Sequence, residues 1–140
     1  MKSQAKFNQN RINIDLCYKF LDFGIIQEAE KKLNLILKIN SGEVRHQKPH
    51  LHIIQRNPYV HLTISLHPED DFDILSVKRG DPNNLNLKEI IKYLKNSGKL
   101  YKTFIVLFYI KNQNLLRNLQ NQQIYEYIRE ICFPKENCSD

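Results

Sequence analysis

The chain has 140 residues, of which 41% are hydrophobic and 26% are charged, and its formal net charge is +6 at pH 7. This length suits one domain with its own hydrophobic core, and no apolar run approaches the roughly 18 residues needed to cross a bilayer. Because the amino-terminal residues lack the pattern of a signal peptide, we expect a cytoplasmic protein that does not enter a membrane.

The cysteines argue against a framework of disulfides or a structural zinc site. They are odd in number and have no C-x-x-C spacing, so three reduced thiols are expected. They are Cys17, Cys132 and Cys138.

The amino-terminal part of the chain predicts one helix and one strand. Residues 1–10 are polar and are expected to be flexible, ahead of a single domain over residues 11–140. Apolar residues near helical spacing predict a helix from Ile12 to about Glu30. The segment KLNLILKI at 32–39 then has leucine or isoleucine at every second position, which predicts a half-buried strand.

The next two apolar segments predict an antiparallel hairpin. HLHII at 50–54 and YVHLTISL at 59–66 are separated by QRNP. A turn at Asn57–Val60 would set His52 opposite Ser65 and, two residues along, His50 opposite His67. Because side chains alternate between the faces of a strand, this register gathers the histidines on one face and the aliphatic residues on the other. The histidines concerned are His50, His52, His61 and His67.

The carboxyl-terminal half predicts a third strand and further helices. DFDILSV at 71–77 is expected to extend the meander, and Asn86 with Glu89 predicts the start of a helix that ends near Gly98. TFIVLFYI at 103–110 predicts a fully buried strand, with a buried helix as the alternative, and a last helix is expected over about 115–131. The expected fold class is α+β: an antiparallel meander of four to five strands with helices packed on one face.

The histidine cluster has two interpretations. In the first, it is the polar face of a half-exposed sheet. In the second, His50 and His52 are catalytic, with His61 and His67 as helpers, since neighbouring imidazoles can transfer protons near a phosphate. Whether the protein is an enzyme stays open between them. The second interpretation also allows the neutral imidazoles to bind a transition metal. No cysteine or carboxylate is positioned by the sequence to complete a closed site, so at most weak metal binding and no cofactor are expected.

A resemblance to a known family begins in this block. KPHLHI at 48–53 resembles the Pro-His-aromatic-His-Val signature of a family of small bacterial proteins of unknown function, although Lys48 stands where a first proline is common. The order of strand, short loop and Leu/Lys/Glu-rich helix that follows is also similar, and the resemblance covers roughly residues 42–94. Members are often encoded beside a second small protein in pairs resembling toxin–antitoxin modules. The resemblance implies His50 and His52 as the positions to carry over.

Charge is the remaining functional signal. Four lysines recur at helical spacing opposite an apolar stripe and indicate either a solvated face or contacts to nucleic-acid phosphates; they are Lys88, Lys92, Lys95 and Lys99. The carboxylates of HPEDDFD lack the spacing of a calcium loop and are expected to form a charged loop; they are Glu69, Asp70, Asp71 and Asp73.

The sequence therefore predicts a small basic protein that binds or acts on nucleic acid in a toxin–antitoxin-like or mobile-element context. The alternative is a non-enzymatic module that binds an acidic protein partner, for instance as an inhibitor of a nucleic-acid enzyme. The sequence does not indicate an oligomeric state.

Overall fold

Over the part of the chain that the structure describes, the fold is a four-stranded antiparallel sheet with three α-helices. A computed structural model describes residues 21–41 and 48–112 of the chain. The strands follow the order β1-β2-β3-β4 across the sheet, and each pairs antiparallel with its neighbour. This confirms the predicted α+β class and the meander. In chain order the elements are α1 (Phe23–Leu33), β1 (Ile36–Lys38), β2 (His50–Arg56), β3 (Tyr59–Ser65), β4 (Ile74–Arg79), α2 (Leu87–Asn96) and α3 (Gly98–Asn112).

Helix α1 is bounded by local side-chain and backbone signals. The Asp22 carboxylate accepts a hydrogen bond from the backbone N–H of Ile25 at 3.1 Å and so caps the helix. The helix therefore starts at Phe23, whereas the prediction had it run through residue 21. Asn34 ends the helix in the left-handed conformation, at φ 57° and ψ 48°. The strand expected from residue 32 consequently begins only at Ile36.

The β2–β3 hairpin is present, but its predicted register was wrong. The turn contains two residues, Asn57 and Pro58, where four had been expected, and the peptide bond between them is cis. His52 therefore lies opposite Thr63, and His50 lies opposite Ser65. The shift is two residues, which changes every pair while leaving every side chain on its predicted face.

The predicted strand at 103–110 is an α-helix, so the alternative interpretation is the correct one. Thr103 shows the helical pattern, since its hydroxyl donates to the carbonyl of Lys99 at 2.8 Å. Helix α3 packs against both α1 and α2, and it buries residues on all sides. A helix at the centre of a domain is apolar all round, and its sequence is then hard to distinguish from that of a buried strand.

Helix α2 starts as predicted and ends earlier. The Asn86 side chain accepts from the backbone N–H of Glu89 at 3.3 Å, which confirms the predicted cap. The helix ends at Asn96, and the hydroxyl of Ser97 accepts from the backbone N–H of Leu100 at the start of α3. Gly98 therefore opens the next helix and does not close this one.

Four of the sequence-based expectations concern residues outside the described ranges. They are the flexible segment over 1–10, the part of the first predicted helix over 12–20, the helix over about 115–131, and the state of the three cysteines. In the part of the chain that the structure describes, no helix has the length and apolar character required to cross a bilayer.

Gly80 is the glycine that the fold requires most directly. Its φ is +84°, and a Cβ at this position would lie 2.1 Å from the carbonyl oxygen of Tyr59. We expect Gly80→Ala to lower the free energy of unfolding by roughly 1–3 kcal/mol, because the left-handed backbone and the close approach both disfavour a side chain. Urea unfolding followed by circular dichroism measures this change.

Gly98 supplies the matched control. A Cβ there meets no atom within 4 Å, and the residue is helical. Gly98→Ala should leave stability unchanged or raise it by up to about 1 kcal/mol. Equal unfolding midpoints for the two variants would contradict the structure of the β4–α2 connection.

Candidate functional site

Three of the four hairpin histidines share one face of the sheet. His50 and His52 lie opposite Ser65 and Thr63, and His61 lies opposite Ile54. The buried aliphatic residues Leu51, Ile53, Leu62 and Ile64 lie together on the other face, as predicted. His67 is different because β3 ends at Ser65, so it lies beyond the paired strands. We call the set His50, His52, His61, Thr63 and Ser65 the polar cluster.

Four residues of the polar cluster are buried and His61 is partly exposed, which corrects the expectation of a half-exposed face. His50 is 1% exposed and His52 is 2% exposed, and Thr63 and Ser65 are fully enclosed. The ring of Phe108 on α3 packs edge-on against the ring of His50, with 5.4 Å between the centroids. The error follows from the wrong assignment of residues 103–110, since α3 supplies the aromatic ring that helps to cover this face.

The imidazoles bond to one another and to their neighbours. His52 Nδ1 and His61 Nε2 are 2.9 Å apart, and the Asn40 side-chain amide donates to His52 Nε2 at 3.3 Å. His50 Nδ1 is 2.9 Å from the carbonyl of Lys48, so this nitrogen carries the hydrogen and donates. With the amide donating to Nε2, the network assigns a neutral His52 whose Nδ1–H donates to His61.

This geometry limits the charge that the pair can hold. If both His52 and His61 were imidazolium ions, two N–H groups would face each other across 2.9 Å, and both electrostatics and sterics disfavour that arrangement. At most one of the two rings is therefore charged while the contact persists. Both ring nitrogens of His52 are already occupied by hydrogen bonds, so this residue functions as a buried connector.

Asp70 is a site residue that the sequence interpretation missed. Its carboxylate accepts from the Ser65 hydroxyl at 2.6 Å and from the Lys48 ammonium at 3.0 Å, and its side chain is only 17% exposed. The pKa of Asp70 lies below its ordinary value of 3.8. The hydrogen bond from Ser65 is the largest cause, and the hydrogen bond and positive charge of Lys48 add to it. Asp70 thus extends the polar cluster to the surface, a contact that depends on tertiary folding and leaves no pattern in the sequence.

Two other residues of this loop that the sequence singled out, His67 and Asp71, make contacts that stabilise the local structure. His67 Nδ1 accepts from the backbone N–H of Glu69 at 3.2 Å and caps the short turn Pro68–Asp70. Asp71 pairs with Lys95 at 3.0 Å. Among residues 21–41 and 48–112, no three histidine, cysteine or acidic side chains are arranged to hold a metal ion.

The four lysines are exposed, but they do not lie on one helix. Lys88, Lys92 and Lys95 belong to α2, whereas Lys99 lies in the first turn of α3 because the chain leaves helical geometry at Ser97. The Lys99 ammonium is 3.1 Å from the Asp22 carboxylate. The hydrogen bond from Lys99, and after it the one from the Ile25 N–H, lowers the pKa of Asp22 below its ordinary value.

No protein-family model, no curated protein and no solved structure matches this chain. Its chemistry is therefore inferred from the residues and their geometry.

The contacts of Asp70 predict a dependence of stability on pH. Because its pKa is lowered in the folded state, the stabilisation is present above the ordinary value of 3.8 and is lost as the pH falls through the lowered value. We expect Asp70→Asn to cost about 1–2 kcal/mol of unfolding free energy at pH 7, because a hydrogen bond to a charged acceptor is weakened. The difference in unfolding free energy between Asp70→Asn and wild type should shrink below about pH 4. Denaturant unfolding of both proteins at several pH values measures this difference.

Glu69→Gln is the control for this variant, since it removes one exposed negative charge from the same loop. Its stability should stay within about 0.5 kcal/mol of wild type at pH 7. If Asp70→Asn matched wild type at pH 7, or if its deficit persisted at low pH, the contact with Ser65 would be contradicted.

Proposed function

We propose that this protein binds the phosphate backbone of a nucleic acid through the outer face of α2 and the first turn of α3. The proposal rests on one observation: all four lysines of the predicted stripe are exposed. We call the surface formed by Lys88, Lys92, Lys95 and Lys99 the basic face.

The spacing of the basic face suits a run of phosphates. Lys88, Lys92 and Lys95 lie on the side of α2 opposite the buried residues Ile90 and Leu94. With a rise of 1.5 Å per residue, these three lysines extend over roughly 10 Å of the helix. In a duplex, each strand carries one phosphate per about 3.4 Å of helix axis, so a duplex lying alongside α2 offers several anions over that length.

The ion pairs on the basic face do not prevent such binding. Lys95 pairs with the exposed Asp71, and Lys99 pairs with the partly exposed Asp22. Ion pairs between exposed side chains are weak because solvent screens them, so a phosphate can replace either carboxylate at small cost. The net charge of +6 adds a general attraction for polyanions.

The burial of the histidines supports binding in preference to catalysis by His50 and His52. Both rings are nearly inaccessible, and a general acid or base has to come within hydrogen-bonding reach of its substrate. The resemblance of KPHLHI to proteins found in toxin–antitoxin-like gene pairs adds the proposal that this chain acts as one member of such a pair.

A second candidate function is the binding of an acidic protein. It is favoured by strand β4, where the exposed side chains of Ile74 and Val77 precede Lys78 and Arg79. Apolar residues beside cations on an exposed strand are suited to protein contacts. This candidate predicts little affinity for nucleic acid near physiological salt.

The dependence of affinity on salt tests the basic face. Removing one lysine–phosphate contact should flatten the slope of log affinity against log salt by roughly 0.7–0.9. We expect Lys88→Gln combined with Lys92→Gln to weaken binding to single- and double-stranded probes and to flatten this slope. Fluorescence anisotropy at several salt concentrations measures both effects.

The matched control is Lys31→Gln combined with Lys32→Gln, which removes two exposed lysines from the last turn of α1. Both double variants have the same net charge, so a general electrostatic attraction would respond equally to either. Equal weakening in the two variants, or no detectable binding by wild type near 0.15 M salt, would contradict the proposal. In the latter case the acidic-protein candidate takes its place.

A further inference from the structure

Strand β4 presents an apolar surface at the edge of the sheet. It is the last strand in the order of the sheet as far as the described part of the chain extends. Ile74 is 40% exposed and Val77 is 46% exposed. The outer side of an edge strand presents backbone N–H and C=O groups with which another strand can pair.

A register shift in the β3–β4 pairing, between Thr63 and Ile64, brings these residues to one face. Ile74 lies opposite Ile64, and Val77 lies opposite Leu62. Both partners belong to the aliphatic face of β3, so Ile74 and Val77 share that face although they are three residues apart. A regular strand would place residues at this spacing on opposite faces.

The charges at the two ends of β4 are complementary to each other. Asp73 immediately precedes the strand, and Lys78 and Arg79 end it; all three are exposed. In antiparallel pairing, the start of one strand lies beside the end of the other. A strand that is acidic at its start and basic at its end therefore complements an antiparallel copy of itself.

We propose that a second copy of this chain pairs with β4 in antiparallel fashion and extends the sheet across a two-fold axis. In the register that sets Ile74 opposite Val77 of the second copy, Asp73 lies opposite Lys78. The two-fold axis repeats each pair, so the interface has two aliphatic pairs and two ion pairs. This register brings the four exposed aliphatic side chains together on one face.

The charges of this edge also determine the orientation of the second copy. A parallel copy would bring Lys78 beside Lys78, and like charges directly opposite one another destabilise a pair of strands. The homodimer does not depend on the basic face, because none of its contacts involves α2.

Charge reversal tests the register directly. Sedimentation equilibrium of the wild type should show a dimer. Asp73→Lys alone and Lys78→Asp alone should each raise the dissociation constant by about tenfold or more, since each reversal turns two attractive pairs into two repulsive ones. The combined variant should restore the dimer. Val77→Lys should dissociate it without altering either charged position, and circular dichroism verifies the fold of each variant.

Lys88→Asp on α2 is the control, because it makes the same change of charge outside the interface and should leave the dimer intact. A wild type that is monomeric at every concentration up to about 1 mM would overturn the proposal. A dimer that the single reversals leave unchanged, or one that the combined variant fails to restore, would overturn it too. Nucleic-acid affinity is measured in a separate experiment. The absence of a dimer is therefore distinguishable from the absence of nucleic-acid binding by the basic face.

Discussion

The hydrogen bond between His52 and His61 is the contact on which the arrangement of the sheet depends. It belongs to a line of polar contacts across all four strands: Asn40 follows β1, His52 lies on β2, and Thr63 on β3 bonds to Ser76 on β4 at 2.7 Å. Buried polar groups are costly without partners, at about 1–3 kcal/mol for each one left unsatisfied. A shift of any strand would break several of these contacts together, so the line fixes the register more firmly than aliphatic packing alone would.

Helix α3 joins this line to the rest of the molecule. Lys111 donates to the carbonyl of Ile39 at 2.9 Å, and Asn112 donates to the carbonyl of Asn40 at 3.0 Å, so the end of the helix holds the residues that follow β1. Near its other end, the Tyr101 hydroxyl bonds to the carbonyl of Leu66, directly after β3. Between these points Phe108 contacts His50. The histidines thus take part in packing, and the proposed functions lie on outer surfaces, where the lysines of α2 and the edge of β4 are accessible.

The sequence predicted the structural features that depend on local patterns. It did not predict those that depend on contacts between residues far apart in the chain. The cap at Asn86 was predictable because its side chain accepts from a backbone N–H only three residues further along the chain. The shared histidine face survived a wrong register because an error of two residues preserves the alternation of side chains. Burial of that face was not predictable, since it requires α3, and continuous apolar character does not distinguish a central helix from a central strand. The role of Asp70 likewise depends on the return of the chain to Ser65 and Lys48.

His50 and His52 form a closed, hydrogen-bonded part of the interior and not an accessible reaction site, while their neighbour His61 is partly exposed. Nitrogen-15 NMR of the labelled protein tests this arrangement most directly, through scalar coupling across the bond between His52 Nδ1 and His61 Nε2. The account predicts that this coupling is present at neutral pH, and that it disappears in His61→Phe while the couplings of other hydrogen bonds persist. The absence of coupling in the wild type, with two imidazoles that take up protons independently as the pH falls, would contradict it.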